Sequence, residues 1–451
     1  MLATLAALVA VDSAHGAAHA GATALNAPLI AAQSTSVAKY DVYDPSLDLS
    51  PAQCVTKHNN HPLPFSEFCT DEGPCWPSMY IIGVQKAATS SLAKALDSCG
   101  LVAYALPTKE TGFVSPSTCK KLYESCKETL HVPVDINSAV GQKQFTSLYN
   151  HKNCHLGKET YEPMKQACSE MKFLSATPSS CMRDDPVGNL YAAIPLQLRM
   201  QARYVVILRE PIARMLSWFN HLRSDARDMG LDVTKQIIGG HNMSSFASFV
   251  DDHAVVTKAF KSGNGQRYTD DFPAGKHLGE VFVDSFHRGN YSYILDAFSK
   301  TNALGLKRSQ LLVLQFEQLA VDTRSAFQQV STHFGLPILT NRTYLPEINT
   351  HDNDEKVLSI KCETRDKLHN EFFKEDLEDL YEGLHADVTQ GVAPAVEPQF
   401  PRFDHEKTVH CQQGKETTLG DSLKESARAG AKPTKMSKWR EHWHRSELLA
   451  V

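Results

Sequence analysis

The chain has 451 residues, a net charge of −5 at pH 7, 42% hydrophobic residues and 22% charged residues. This composition is that of a globular protein with room for one large domain and appendages, and it excludes wholesale disorder. The near-neutral charge gives no reason to expect nucleic acid as a partner.

The first 45 residues read as a leader and stem. Residues 1–11 form an apolar run that is too short to span a bilayer, and the first basic residue is Lys39. The run suits the core of a signal peptide, the remnant of a membrane anchor, or a disordered leader, and these three interpretations stay open. Membrane association is expected only through this segment.

Cysteines crowd the first half of the chain. Nine of the eleven lie between Cys54 and Cys181, whereas Cys362 and Cys411 come late. The absence of a CxxC pair argues against a zinc ribbon, and we expect no metal. Disulfides formed in an oxidising lumen suit the pattern better. Three N-x-S/T sequons agree with a secreted glycoprotein, although chance alone would supply about two.

From Met79 onward, short apolar runs alternate with helical patterns. Strands are expected over 80–84, 204–208 and 311–316, and each is followed by a helix. This alternation predicts an α/β fold, with a central parallel sheet flanked by helices.

The same patterns divide the chain into one large domain and its extensions. Residues 46–78 are a Cys/Pro-rich N-terminal extension, and residues 79–392 form the single large domain. Residues 393–451 are expected to be an irregular, basic C-terminal tail.

The loop after the first strand has the features of an anion site. Free N–H groups and the dipole of a starting helix favour a phosphate, Lys86 adds a full charge, and hydroxyls add donors. Lys86 precedes the small-residue turn, which excludes the ATP-type loop GxxxxGK[ST]. The expected anion-binding residues are Lys86, Ala87, Ala88, Thr89, Ser90 and Ser91.

The second strand ends at Arg209, and Ser217 lies two helical turns further on. Ligands of open α/β sheets bind beyond the carboxyl ends of the strands, so both motifs should face one crevice. Arg209 could clamp a second phosphate through two hydrogen bonds. Taken alone, Arg209 is explained equally well as part of a structural salt bridge.

Together these segments resemble the family of sulfotransferases that use 3′-phosphoadenosine 5′-phosphosulfate (PAPS), over about residues 79–385. Residues 86–91 match the family's 5′-phosphosulfate loop, and Arg209 and Ser217 match its 3′-phosphate motif. The resemblance implies a P-loop-like sulfotransferase fold, PAPS as donor, 3′-phosphoadenosine 5′-phosphate (PAP) as product, and no metal. The family commonly has Gly at the position of Ala88, where a positive φ would be strained.

The catalytic residues follow from the same resemblance. Lys86 would serve the leaving oxygen. Residues 109–113 resemble the Lys-Glu-x-x-Phe segment of heparan-type Golgi sulfotransferases, which implies Glu110 as general base and Lys109 as a nearby cation for the substrate. A solvated Lys–Glu pair is the plain alternative. Residues 217–221 are similar to a Ser-Trp-Tyr-x-His run of heparan N-sulfotransferases, which makes His221 a second candidate base.

Several departures bear on the acceptor. Ala176 and Ser180 stand where heparan-type enzymes have Lys and an aromatic residue, which puts a heparin-like acceptor in doubt. Tyr291 begins a Gly-x-Tyr helix start similar to that of Golgi members, and either substrate binding or packing would explain it. Residues 374–376 are more acidic than the family pattern.

We therefore predict sulfuryl transfer from PAPS to a hydroxyl or amine of a glycan or polysaccharide, in the secretory pathway and most naturally in the Golgi lumen. The alternatives are a catalytically inactive PAP- or glycan-binding protein and a P-loop nucleotide kinase. A kinase would need a Walker lysine and a Mg²⁺-binding carboxylate, and neither is evident. The sequence leaves the oligomeric state open.

Overall fold

The structure is a computed structural model, and it describes the larger part of the domain region. The described residues are 55–57, 68–71, 73–99, 101–104, 139–149, 167, 172–176, 194–228, 237–238, 241–251, 289–296, 298, 306–339, 357–418 and 421. All of them belong to one compact unit that spans residues 43–451. The predicted leader, residues 1–45, lies outside the described residues.

The strands and helices alternate along most of the described chain. The strands are β1 (Val55–Lys57), β2 (Met79–Gly83), β3 (Leu174–Ala176), β4 (Arg203–Leu208), β5 (Ile237–Ile238), β6 (His241–Asn242), β7 (Leu311–Gln315), β8 (Ile338–Leu339), β9 (Val357–Lys361), β10 (Cys411–Gln412) and β11 (Thr417–Thr418). The helices are α1 (Thr89–Ser98), α2 (Ala139–Ser147), α3 (Leu196–Arg199), α4 (Pro211–Asp228), α5 (Ser292–Asp296), α6 (Phe316–Val321), α7 (Thr323–His333), α8 (Cys362–Leu368), α9 (Lys374–Thr389) and α10 (His405–Thr408). A 3₁₀ turn at Arg308–Gln310 precedes β7, and a π-helical turn at His369–Phe373 joins α8 to α9.

A parallel four-stranded sheet, in the order β3-β2-β4-β7, forms the centre of the molecule. Strands β2 and β7 are buried along their whole length, as is β4 after its first residue, because helices cover both faces. The predicted α/β fold with a central parallel sheet flanked by helices is confirmed. The three predicted strands occur with ends shifted by a single residue.

The order of the strands creates a switch point. Strands β2 and β4 are neighbours, but the chain leaves β2 for β3 on one side and leaves β4 for β7 on the other. The loops that follow β2 and β4 therefore diverge from a common crevice at the carboxyl edge of the sheet. This crevice is where the fold itself favours a ligand.

Residues 393–418, here called the C-terminal segment, pack against the sheet unit although the sequence suggested an irregular tail from residue 393. Strands β10 and β11 flank β9 in a three-stranded sheet. Glu397 forms an ion pair with Arg308. The structure therefore places the C-terminal segment within the same unit as the sheet.

Disulfides secure two regions of the described chain. Cys69 bonds to Cys75, and the two late cysteines, Cys362 and Cys411, bond to each other across 49 residues. Cys99 is disulfide-bonded as well. These bonds are compatible with an oxidising, secreted or lumenal environment. None of the helices described here combines the length and the apolar character needed to cross a membrane.

Candidate functional site: the crevice between β2 and β4

The loop from β2 to α1 has an unusual backbone. Lys86 and Ala88 both have positive φ, of 68° and 62°, a region that costs a non-glycine residue about 1–2 kcal/mol. The strain anticipated at Ala88 is therefore present. Val84 N–H donates to the Ile207 carbonyl oxygen at 2.9 Å, which ties the start of the loop to β4.

This backbone leaves the start of α1 available to an anion. Ala88 is the N-cap of α1, and its side chain caps nothing. The first N–H groups of a helix have no intrahelical partner and carry the positive end of its dipole. Thr89 and Ser91 have largely buried side chains, whereas Ser90 is half-buried. Residues 89–91 would therefore contact a phosphate mainly through backbone N–H groups.

Arg209 joins the two predicted motifs. Its Nη1 donates to the Lys86 carbonyl oxygen at 2.8 Å, across 123 residues of sequence. The guanidinium carbon lies 4.6 Å from the centroid of the Phe316 ring at the start of α6. Lys86 and Arg209 thus lie on opposite sides of the switch point and in contact, as the prediction of one crevice requires.

Helix α4 forms the wall beside Lys86. The Lys86 Nζ lies 5.7 Å from the centroid of the Trp218 ring, within range of a cation–π interaction. The Trp218 and His221 rings lie 5.3 Å apart, so Trp218 connects the lysine to the histidine. Ser217 and His221 are both half-buried on this helix. The structure brings these predicted residues to the same side of the sheet.

Two buried carboxyl groups support the loop that carries Arg209. Glu210 caps α4, because its Oε2 accepts from Ala213 N–H at 2.6 Å. The Glu210 N–H in turn donates to Glu317 Oε1 at 3.0 Å. Burial raises the pKa of Glu210 to about 7, since hydrogen bonds from the backbone offset only part of the desolvation. The pKa of Glu317 is raised by the same cause.

Tyr291 lies behind Arg209 rather than at the surface. It is fully buried, and its hydroxyl donates to the Arg209 carbonyl oxygen at 2.7 Å. Asp376 holds the start of α5, because it accepts from Tyr291 N–H at 2.5 Å and from the Ser292 hydroxyl at 2.6 Å. Of the two explanations open for Tyr291, this placement favours packing, with the hydroxyl bound to the main chain of Arg209. A contact between Tyr291 and substrate stays a prediction. Of the two acidic residues in 374–376, Asp376 thus has a structural role.

The predicted residues Lys109 and Glu110 lie outside the described residues, so their roles stay predictions, and His221 is the candidate base that the structure describes. Among the described residues, no three His, Cys, Asp or Glu side chains form a group that could hold a metal ion.

Sequence reasoning missed Trp218, Glu210 and Asp376 as parts of the site. Only the first two carried a usable local signal. Glu210 stands directly before Pro211, and an acidic residue before a proline at the first helical position is a capping pattern. Trp218 follows Ser217 on a helix already assigned to the site. Asp376 lies 85 residues from the backbone that it caps, and no local pattern reports that contact.

No protein-family model matches the chain, and no curated protein matches its sequence. Among solved structures, the chain is similar to a sulfotransferase from Alicyclobacillus acidocaldarius, with 18% sequence identity and a TM-score of 0.39, over 69% of this chain and 96% of that one. A likeness at this level assigns no activity, so the function is inferred from the residues of the crevice.

Proposed function

We propose that this chain is a PAPS-dependent sulfotransferase that moves a sulfuryl group to a hydroxyl or amine of a glycan or polysaccharide and releases PAP. The observation that carries the proposal is the hydrogen bond between Arg209 and the Lys86 carbonyl. It joins two cationic loops across the switch point of a parallel sheet, where ligands of such sheets bind. PAPS has phosphate groups at the 3′ and 5′ positions of its ribose, and these suit two adjacent cationic loops.

The residues of the crevice fit this donor. The uncapped start of α1 and the ammonium group of Lys86 suit the 5′-phosphosulfate. The guanidinium of Arg209 and the hydroxyl of Ser217 suit the 3′-phosphate. When bound, the donor supplies an activated sulfuryl group with a phosphate as leaving group.

The chemistry asked of the protein is limited to charge stabilisation and proton removal. Lys86 stabilises the negative charge that develops on the leaving oxygen. A general base takes the proton from the acceptor, whose neutral hydroxyl is a poor nucleophile. Glu110 is our first choice for this base, and His221 is the second.

We place the activity in the secretory pathway, with the Golgi lumen as the expected compartment. The disulfides Cys69–Cys75 and Cys362–Cys411 support an oxidising environment. A glycan acceptor is consistent with that compartment, since sugar chains present many hydroxyls and some amines there.

The direct test is donor binding followed by an acceptor screen. We expect calorimetry to detect binding of adenosine 3′,5′-bisphosphate that excess ATP does not reverse, and labelled PAPS to transfer its label to at least one glycan class. Binding without transfer to any glycan, tyrosine peptide or small alcohol would favour an inactive PAP-binding protein. Absence of binding, or competition by ATP with Mg²⁺, would refute the proposal.

The identity of the base is tested by two variants measured together. We expect Glu110→Gln to lose nearly all turnover with unchanged PAP affinity, because Gln keeps the shape but removes the basic oxygen. His221→Ala should then be the milder change, and the acidic limb of the pH–rate profile should disappear only in Glu110→Gln. The reverse ranking would make His221 the base. Full activity in both variants would leave the chain without a base and would contradict the mechanism.

A further inference from the structure

Tyr291 is a buried residue whose hydroxyl contacts the main chain of the crevice. Its hydroxyl donates to the main-chain carbonyl of Arg209, the residue directly after β4. We propose that Tyr291 is a positioning residue for the donor's 3′-phosphate, and that the C-terminal segment holds Tyr291 in place through Phe403. This inference rests on the proposed function, because it assumes that Arg209 binds the donor.

The main chain at Arg209 determines where its guanidinium points. Glu210 N–H is held by Glu317, and the proline at 211 has no N–H to donate. The Tyr291 hydroxyl binds the carbonyl of the same peptide bond, so that both polar atoms of the Arg209–Glu210 peptide are held by side chains. Loss of this contact would remove a hydrogen bond that holds the carbonyl and would let the arginine shift. Arg209 would bind the 3′-phosphate through two hydrogen bonds. Such a contact depends more on the position of the guanidinium than a single hydrogen bond does.

Tyr291 is itself fixed from two sides. On one side, Asp376 of α9 binds its N–H and that of the next residue. On the other side, the Phe403 ring of the C-terminal segment lies 6.3 Å from the Tyr291 ring, centroid to centroid. Phe403 N–H donates to the Tyr381 hydroxyl at 2.8 Å, which holds Phe403 against α9.

The C-terminal segment is anchored on both sides of Phe403. Before it, Glu397 pairs with the buried Arg308 and accepts from Val313 N–H of β7 at 3.0 Å. After it, Cys411 is bonded to Cys362. A chain fastened at both ends has little freedom to withdraw Phe403. The anchoring of distant residues 397 and 411 thus reaches the donor site through Phe403, Tyr291 and the Arg209 carbonyl.

A positioning role predicts a specific kinetic result. The 3′-phosphate does not react, so its misplacement should raise the donor KM and leave kcat at saturating donor unchanged. Tyr291→Phe removes only the hydroxyl. We expect its affinity for PAP to fall about 3- to 10-fold, in line with the loss of one neutral hydrogen bond.

A matched control separates positioning from stability. Tyr149→Phe also removes the hydroxyl of a fully buried tyrosine, in the aromatic cluster of Phe145 and Phe173. It should leave PAP affinity at the wild-type value, whatever it does to the melting temperature. Phe403→Leu should lower PAP affinity as Tyr291→Phe does, and the double variant should lose less than the sum of the two.

The PAP affinity and kcat of these variants decide whether Tyr291 positions the donor site. Wild-type PAP affinity in Tyr291→Phe, or a fall in kcat with unchanged affinity, overturns the inference and leaves the proposed function standing. If Tyr291→Phe does not fold, Phe403→Leu decides alone, and unchanged PAP affinity in that variant overturns the inference. If the wild-type protein does not bind PAP, both proposals fail.

Discussion

Two clusters of one arginine and two carboxylates lie at opposite ends of β7 and use these groups differently. At the amino end, the buried Arg308 binds Asp387 through Nε at 2.6 Å and Glu397 through Nη2. At the carboxyl end, the half-buried Arg209 donates to a neutral carbonyl and lies over an aromatic ring. The same residue types therefore make an ion-pair cluster in one place and a hydrogen-bonded crevice in the other.

The carboxylates explain the contrast. Near Arg209, the groups on Glu210 and Glu317 accept from backbone N–H groups of α4 and of the strand end. Their role is to fix the loop that carries the arginine. At the amino end, Glu397 and Asp387 bind the guanidinium itself and join the C-terminal segment and α9 to the sheet. One end of β7 is thus organised for stability and the other for orientation of a cation.

Arg308→Ala should produce the largest effect and should act on stability. It would leave the buried carboxyl of Glu397 and the partly exposed carboxyl of Asp387 without their cation. Removal of one partner from a buried ion pair typically costs about 3–5 kcal/mol of unfolding free energy. Urea unfolding monitored by circular dichroism measures this loss. Arg209→Ala is the matched variant from the other end, and it should change stability by about 1 kcal/mol or less while lowering PAP affinity about 10- to 1000-fold. Equal losses of stability in both variants would contradict the different roles assigned to the two ends of β7.

Lys86→Ala should be the next largest effect and should act on turnover. Its ammonium group lies beside Trp218 of α4, in the loop before α1, and we expect it to meet the leaving oxygen there. Loss of such a contact typically costs about 3–4 kcal/mol in the transition state, which is a 10²- to 10³-fold fall in kcat. Lys94→Ala is the control, because Lys94 has an exposed side chain on α1, the helix that follows the Lys86 loop. This variant should keep wild-type turnover. Near-wild-type kcat in Lys86→Ala would contradict the assignment.

The sequence predicted the sheet and the anion loop because both are local patterns. Apolar runs such as residues 204–208 mark buried strands directly, and the loop after residue 83 is contiguous with its helix. The hydrogen bond between Arg209 and the Lys86 carbonyl spans 123 residues, yet the rule for parallel sheets anticipated that the two would meet. The contact between these two loops was thus predicted from sheet topology and not from a local sequence pattern.

The remaining parts of the site depend on contacts without such a rule. Asp376 reaches the start of α5, and Phe403 reaches Tyr291, from segments far along the chain. The pairing of Cys362 with Cys411 is of the same kind, since spacing alone does not determine connectivity. These contacts arise from how α9 and the C-terminal segment pack on the sheet, which single-residue patterns do not encode.

The pH dependence of stability further distinguishes the carboxyl end of β7 from its amino end, because the pKa of Glu210 lies near neutrality. Its pKa is raised by burial from about 4.5 to about 7. Between these values the folded protein holds a proton that the unfolded chain has lost. Binding of this proton stabilises the folded state by about 3 kcal/mol. The stabilisation is fully present below pH 4.5 and is lost as the pH rises through 7.

Glu210→Gln should remove that loss, since the amide stays neutral at every pH and retains one oxygen as acceptor for the start of α4. Burial lowers the pKa of His333 to about 4 from an ordinary value of 6.5, so its contribution has the opposite sign and is lost as the pH falls from 6.5 through 4. In the wild type the two trends partly cancel. Urea titrations from pH 4 to 8 should therefore show the stability of Glu210→Gln rising relative to that of the wild type as the pH increases. Other buried acids with raised pKa, such as Glu317, act in both proteins and cancel in this difference. Parallel curves for the two proteins would mean that Glu210 is ionised in the fold throughout this range.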